Sequence, residues 1–327
     1  MKDWKLSQTQ PQFERIRRLP EQRVSKHIII LLLLAAAMWF GGQIGMFFFG
    51  IPFSVIFSAL GSSLTENPTL SMIITLYLTI VTVLLTYVLI GPIERRTLRT
   101  AGLTKHHCVR DYLTGGALGL VMFTVVILMA WATGAVRPAA PDQDRNILLM
   151  ILMFGGWMVQ GFSEEFLCRG FLMMSTGTHH KPWLAVFISS TLFGLGHVFN
   201  AGASVAGVLN VILFGVTMGV IMLRTDSIWT AAALHSVWNW AQGSFFGLQV
   251  SGNAAGASVL RFEQTGAANW MGGGAFGLEA GLGTTLINVV VLLVFLLLIP
   301  QRTSDYPPAE LPAEPASAQI PDSDTQA

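Results

Sequence analysis

The chain has 327 residues, of which 52% are hydrophobic and only 11% are Asp, Glu, Lys or Arg, against about 25% charged residues in a soluble domain. A formal net charge of +1 gives no pull toward nucleic acid or acidic partners. With a mean hydropathy of +0.58 and successive apolar runs of the roughly 20 residues that a bilayer-crossing helix needs, the sequence predicts an all-α polytopic membrane protein. A β-barrel would alternate over about ten residues, and these runs do not alternate.

Residues 1–26 form a basic segment, read as a topology signal that also touches anionic lipid. The apolar run after it is longer than a signal-peptide h-region, so it is read as a retained span. About eight spans are expected, at 27–49, 69–92, 112–135, 146–162, 183–199, 203–223, 228–248 and 284–299. The fourth is expected to continue past Phe162 through a charged motif. Together they make a transmembrane domain over 27–302, with a core at about 146–252. The glycine-rich segment 247–283 reads either as a flexible loop or as a partly re-entrant lid. The tail 303–327, rich in Pro, Ala and acid, is expected to be disordered. Cys108 and Cys168 cannot build a disulfide framework and read as structural.

Basic residues test this layout. Lys2, Lys5, Arg15, Arg17, Arg18, Arg23, Lys26, Arg95, Arg96, Arg99, Lys105, Arg110, Arg169, Lys181, Arg224 and Arg302 fall on one side, and Arg137, Arg145 and Arg261 on the other. Such a bias predicts that both termini are cytoplasmic. Compact loops and the lack of a eukaryotic retention signal make a bacterial inner membrane the expected location.

Charge at membrane depth is costly, so ionisable groups there point to function. In GFSEEFLCRG, residues 161–170, Glu165 and Arg169 are four apart, the spacing of a helical ion pair, while Glu164 is turned about 100° away. Glu165 and Arg169 therefore read as a structural pair and Glu164 as the free carboxylate. Alone, the cluster reads equally well as a group of charges at a helix end. Two further clusters shift that balance. His235 and Asn239 are four apart in ALHSVWN, and Phe193 and His197 are four apart in STLFGLGH, one to pack and one to act. Gln160, one turn before Glu164, is a weaker candidate. His106, His107, His179 and His180 read as solvated loop residues. By naive counting, Glu164 lies at the cytoplasmic end of its span and His197 toward the outer end of its own, so water is expected to reach Glu164 from the cytoplasm.

EEFLCR, FGLGH and HSVWN, in this order, resemble the EExxxR, FxxxH and HxxxN/D motifs of the CPBP (CaaX prenyl protease and bacteriocin-processing, or Abi) intramembrane endopeptidases. The resemblance covers about residues 147–252, and SIWTAAAL before the last motif is also similar. It implies hydrolysis of a peptide bond in or beside the membrane. In that reading Glu164 is the general base, His197 holds and polarises the water, His235 and Asn239 donate to the oxyanion, and Glu165, Arg169 and Phe193 give structural support. The implied partners are membrane lipids and a membrane-associated protein or peptide, lipidated in some members. Family members are commonly labelled metalloproteases, and Glu164, His197 and His235 are a conceivable zinc set. No HExxH is present, and metal binding would consume the base, so a metal-independent reaction is favoured. The alternatives are a transporter, for which no internal repeat speaks, and a non-catalytic scaffold or immunity protein of the same fold.

Overall fold

A computed structural model describes residues 10–59, 61, 63–140, 146–254 and 256–302. The tail 303–327, Lys2, Lys5 and Arg145 lie outside the described residues. The helices are α1 (Pro11–Arg17), α2 (Ile28–Ala59), α3 (Pro68–Ile93), α4 (Cys108–Ala132), α5 (Ile147–His179), α6 (Pro182–Leu195), α7 (Val205–Thr225), α8 (Ile228–Trp240) and α9 (Leu282–Leu297). Each expected span falls on one helix from α2 to α9. Five of these, α2, α3, α4, α5 and α7, are long and apolar enough to cross a membrane, and α6 and α9 are shorter apolar helices. The chain is an all-α polytopic membrane protein.

Local chemistry fixes several helix starts. Pro68 and Pro182 stand at the first turns of α3 and α6, where no backbone N–H is needed. Asn146, Ser204 and Ser227 cap α5, α7 and α8 by accepting backbone N–H groups with their side chains. One helix outruns expectation. The first span was expected to end at 49, but its apolar run continues and α2 extends to Ala59 with Pro52 inside it. The fourth continues past Phe162, as expected, as the 33-residue α5. It passes through the charged motif in a π-helical stretch, Phe166–Met173. Such wide turns recur at functional sites. A second closes α8, over Ala241–Phe245.

Helices α7 and α8 hold the centre, with α8 packed chiefly on α4 and α5. Small residues permit that approach. A Cβ on Gly115 would lie 2.2 Å from the Thr230 carbonyl oxygen, and one on Gly119 2.4 Å from that of Leu234, the close packing that small-xxx-small stripes allow. Around this centre, α2 buries only Leu31, Ala35 and Gly42 and exposes Phe47, Phe48, Phe49 and Ile51, as a lipid-facing helix does.

The basic residues gather at one end. Arg15 of α1 pairs with Asp226 after α7. Arg302 donates to Asp111 at 2.7 and 2.9 Å. Arg17 donates to the carbonyls of Gly177 and Thr178. Arg169, grouped with these from the sequence, is instead fully buried inside the bundle. His179 and His180 are not simply solvated: their Nε2 atoms lie 3.2 and 2.9 Å from the carbonyl oxygens of Val24 and Lys26 and tie down the approach to α2.

At the other end the glycine-rich segment is a folded cap. Strands β1 (Val136–Pro138) and β2 (Phe262–Gln264) pair antiparallel. Phe276 and Leu278 are fully buried. Asn210 of α7 donates to the carbonyls of Glu279 and Gly281 at 2.9 and 3.1 Å, and Ala257 N–H donates to Thr69 Oγ1 at 3.0 Å.

Candidate active site

The three motifs meet at one cavity of about 270 Å³, lined among others by Gln160, Glu164, Phe193, His197, His235 and Asn239. Their meeting depends on one crossing. A Cβ on Gly161 would stand 2.4 Å from Ser236 Oγ and 2.8 Å from the Ser236 backbone N, so only glycine lets α5 lie this close to α8. The next turn of α5 then sets both glutamates beside His235.

Glu165 is the buried member of the pair. Its Oε1 accepts from Arg169 Nη1 at 2.9 Å and lies 2.9 Å from His235 Nδ1. With a carboxylate as acceptor, the Nδ1–H of His235 is the donor. The Arg169 guanidinium also lies over the Phe193 ring, 4.8 Å from its centroid, a cation–π contact. The opposite nitrogen of His235, Nε2, stands 3.5 Å from Glu164 Oε2. That oxygen is buried and has no hydrogen-bond partner among the described residues. Glu164 is thus clear of Arg169 and turned to the cavity.

His197 follows the end of α6 in a tight turn. Its Nδ1–H donates to the Phe193 carbonyl at 2.8 Å, which leaves Nε2 as an acceptor. The Phe193 ring separates the two imidazoles, with centroids 4.9 Å from His197 and 5.6 Å from His235. Asn239 donates through Nδ2 to Gln160 Oε1 at 2.9 Å. Gln160, the weaker candidate in the sequence, therefore fixes the amide that faces the cavity.

Glu164 lies midway along the 33-residue α5, and the motif's charges pair within the bundle, where Glu165 and Arg169 are fully buried. Glu164 and His197, expected at opposite ends of their spans, line the same cavity. The cavity also lies in the half of the bundle away from the basic end, bordered by Thr75 of α3, Asn200, Asn210 of α7, and Ser251 and Glu279 of the cap. Glu279 was not singled out in the sequence. It is an acid in a glycine-rich loop, with no helical spacing to link it to the motifs.

A catalytic zinc would draw on the same atoms. Among the described residues no three His, Cys, Asp or Glu side chains converge as a ligand group. Of the conceivable set, His235 holds Glu165 with one nitrogen and faces Glu164 with the other.

Residues 146–241 match the family model described as type II CAAX prenyl endopeptidase Rce1-like. This core is Rce1-like. The match contains all three motifs, and the Rce1-like family is a protease family, so this core is that of an intramembrane protease of the CAAX type in general. Such a protease acts on a membrane-associated peptide or protein. No curated protein and no solved structure matches the chain.

Proposed function

We propose that the chain is an endopeptidase in which Glu164 activates a water molecule, without a metal ion, to hydrolyse a peptide bond at membrane depth. One observation carries this reading: the Glu164 carboxylate, 3.5 Å from His235 Nε2, opens into a cavity shared with His197 and Asn239. Glu164 takes a proton from the water as its oxygen bonds to the carbonyl carbon. His197, with Nδ1–H tied to Phe193, orients the water by accepting its second hydrogen at Nε2. Asn239, with one amide N–H on Gln160, keeps the other for the oxyanion. His235 joins it as a donor once the proton on Glu164 passes to Nε2. When the C–N bond breaks, that proton goes to the leaving amine. Preorganised donors of this kind act best in a dry site.

An apolar substrate anchor has a place beside this cavity. Gln43, Met46 and Thr75 line both the cavity and a groove between α2 and α3 whose walls include Phe47, Ile51 and Leu78. By the charge bias, the basic end faces the cytoplasm of a bacterial inner membrane, and the cavity lies in the opposite half.

The test is cleavage of a lipidated, membrane-anchored peptide by the purified protein in proteoliposomes. Glu164→Gln is expected to reduce cleavage to background, and Asn239→Ala to slow it by about 100- to 1,000-fold. A chelator is expected to leave the rate unchanged. Cleavage by Glu164→Gln at the wild-type rate would end this reading, and inhibition by chelator reversed by zinc would bring back the metal.

A further inference from the structure

Glu279 lies outside the matched residues 146–241, yet it lines the same cavity as Glu164, His197 and His235. It is 8% exposed. Two donors reach it, the Ser251 backbone N–H at 2.5 Å and the Ser251 Oγ–H at 2.8 Å, and both go to Oε2. Among the described residues no donor reaches Oε1, and no Lys or Arg pairs with Glu279 or lines the cavity. Ser251 itself has a φ of 46°, a backbone conformation that is strained for a serine and is retained where surrounding structure demands it. The cap is bent so that one residue places two donors on one carboxylate oxygen.

A buried carboxylate without a countercharge is costly unless something compensates it. Ser251 compensates one oxygen. The other has no donor among the described residues, and Glu279 belongs to the wall of the cavity.

We propose that Glu279 is a specificity residue that binds an ammonium group of the substrate, so that the cavity selects peptides with a positive charge close to the scissile bond. The inference rests on the proteolytic reading above and deepens it. The geometry favours ammonium over guanidinium. Arginine pairs with carboxylates through a two-pronged fork that uses both oxygens, whereas lysine is a point charge that needs one, and Oε2 is already taken. Two sources supply such a group, a lysine side chain or a free peptide N-terminus. Burial pushes the Glu279 carboxyl above its usual range, while the Ser251 hydrogen bonds and the nearby imidazoles of His197 and His235 pull it back. A bound ammonium adds to that pull. Selectivity is therefore present above the raised pKa and lost as pH falls through it.

Binding, rather than turnover, tests this. Full-length protein carrying Glu164→Gln, in lipid nanodiscs, is titrated with three palmitoylated peptides of one sequence. The first is N-acetylated with a lysine, the second N-acetylated with norleucine in its place, and the third has norleucine and a free N-terminus. With Glu164 neutralised, a charge preference reports on Glu279. At least one amine-bearing peptide is expected to bind about tenfold more tightly than the neutral one, the size of a charge-assisted hydrogen bond, and which one does so identifies the source. Adding Glu279→Gln, which keeps an acceptor oxygen for Ser251, is expected to remove the preference and leave the neutral peptide's Kd unchanged. Equal Kd values for the three peptides would overturn the proposal. So would an equal loss for neutral and charged peptides in the Glu279→Gln protein, the mark of a purely structural latch. A wild-type protein that cleaves none of the peptides would instead count against the proteolytic reading, with the binding comparison still decisive for Glu279.

Discussion

Glu164 and Glu165 are neighbours in the chain with opposite surroundings. Glu165 is fully buried and joins Arg169 to His235 through one oxygen. Glu164 keeps 19% of its side chain exposed and faces the cavity. Removing one partner of a buried ion pair strands the other charge and costs about 3–5 kcal/mol. Glu165→Ala is therefore expected to lower the thermal midpoint of the detergent-purified protein clearly. Glu164→Gln is expected to leave that midpoint within about 2 °C, since it breaks no buried pair, while cleavage disappears. Scanning fluorimetry beside the cleavage assay checks both, and equal destabilisation by the two substitutions would contradict the division of roles.

Among the helices, the deciding contact is the crossing of α5 and α8 at Gly161. Gly161→Val would put side-chain atoms where Ser236 already stands, push the helices apart and widen the 3.5 Å gap between Glu164 and His235. Misplacing a catalytic group by about 1 Å can cost 100-fold in rate. We expect a loss of that order with membrane insertion intact, measured as cleavage per inserted molecule in proteoliposomes. An unchanged rate would show that the site does not need this approach. Helix ends matter as well. The spacing of Phe193 and His197 reads as one helical face, yet α6 stops at Leu195. His197 is instead aimed by its hydrogen bond back to the Phe193 carbonyl.

At the scale of the whole molecule, the basic end and the cavity are separate structures. Phe13 and Ile16 of α1 are fully buried, each burial contributing about 1.5–3 kcal/mol, and Arg15 pairs with Asp226. Deleting residues 1–18 is expected to lower the thermal midpoint while leaving kcat at low temperature within about twofold of wild type, because distant sites act nearly independently. A selective loss of kcat without loss of stability would instead tie α1 to the reaction.

Hydropathy and helical spacing are local properties, so the sequence by itself determined the all-α membrane class, the position of each long helix and the Glu165–Arg169 pairing distance. It also carried the three motifs that mark an Rce1-like core. Tertiary structure alone decided which groups share a cavity and which elements border it. The fourth helix was legible as running through the charged motif; that its Glu165–Arg169 pair is fully buried inside the bundle was not. Gln160 and Glu279 carry no spacing signal, since their meaning comes from Asn239 and Ser251, residues brought to them only by the crossing of helices and the folding of the cap.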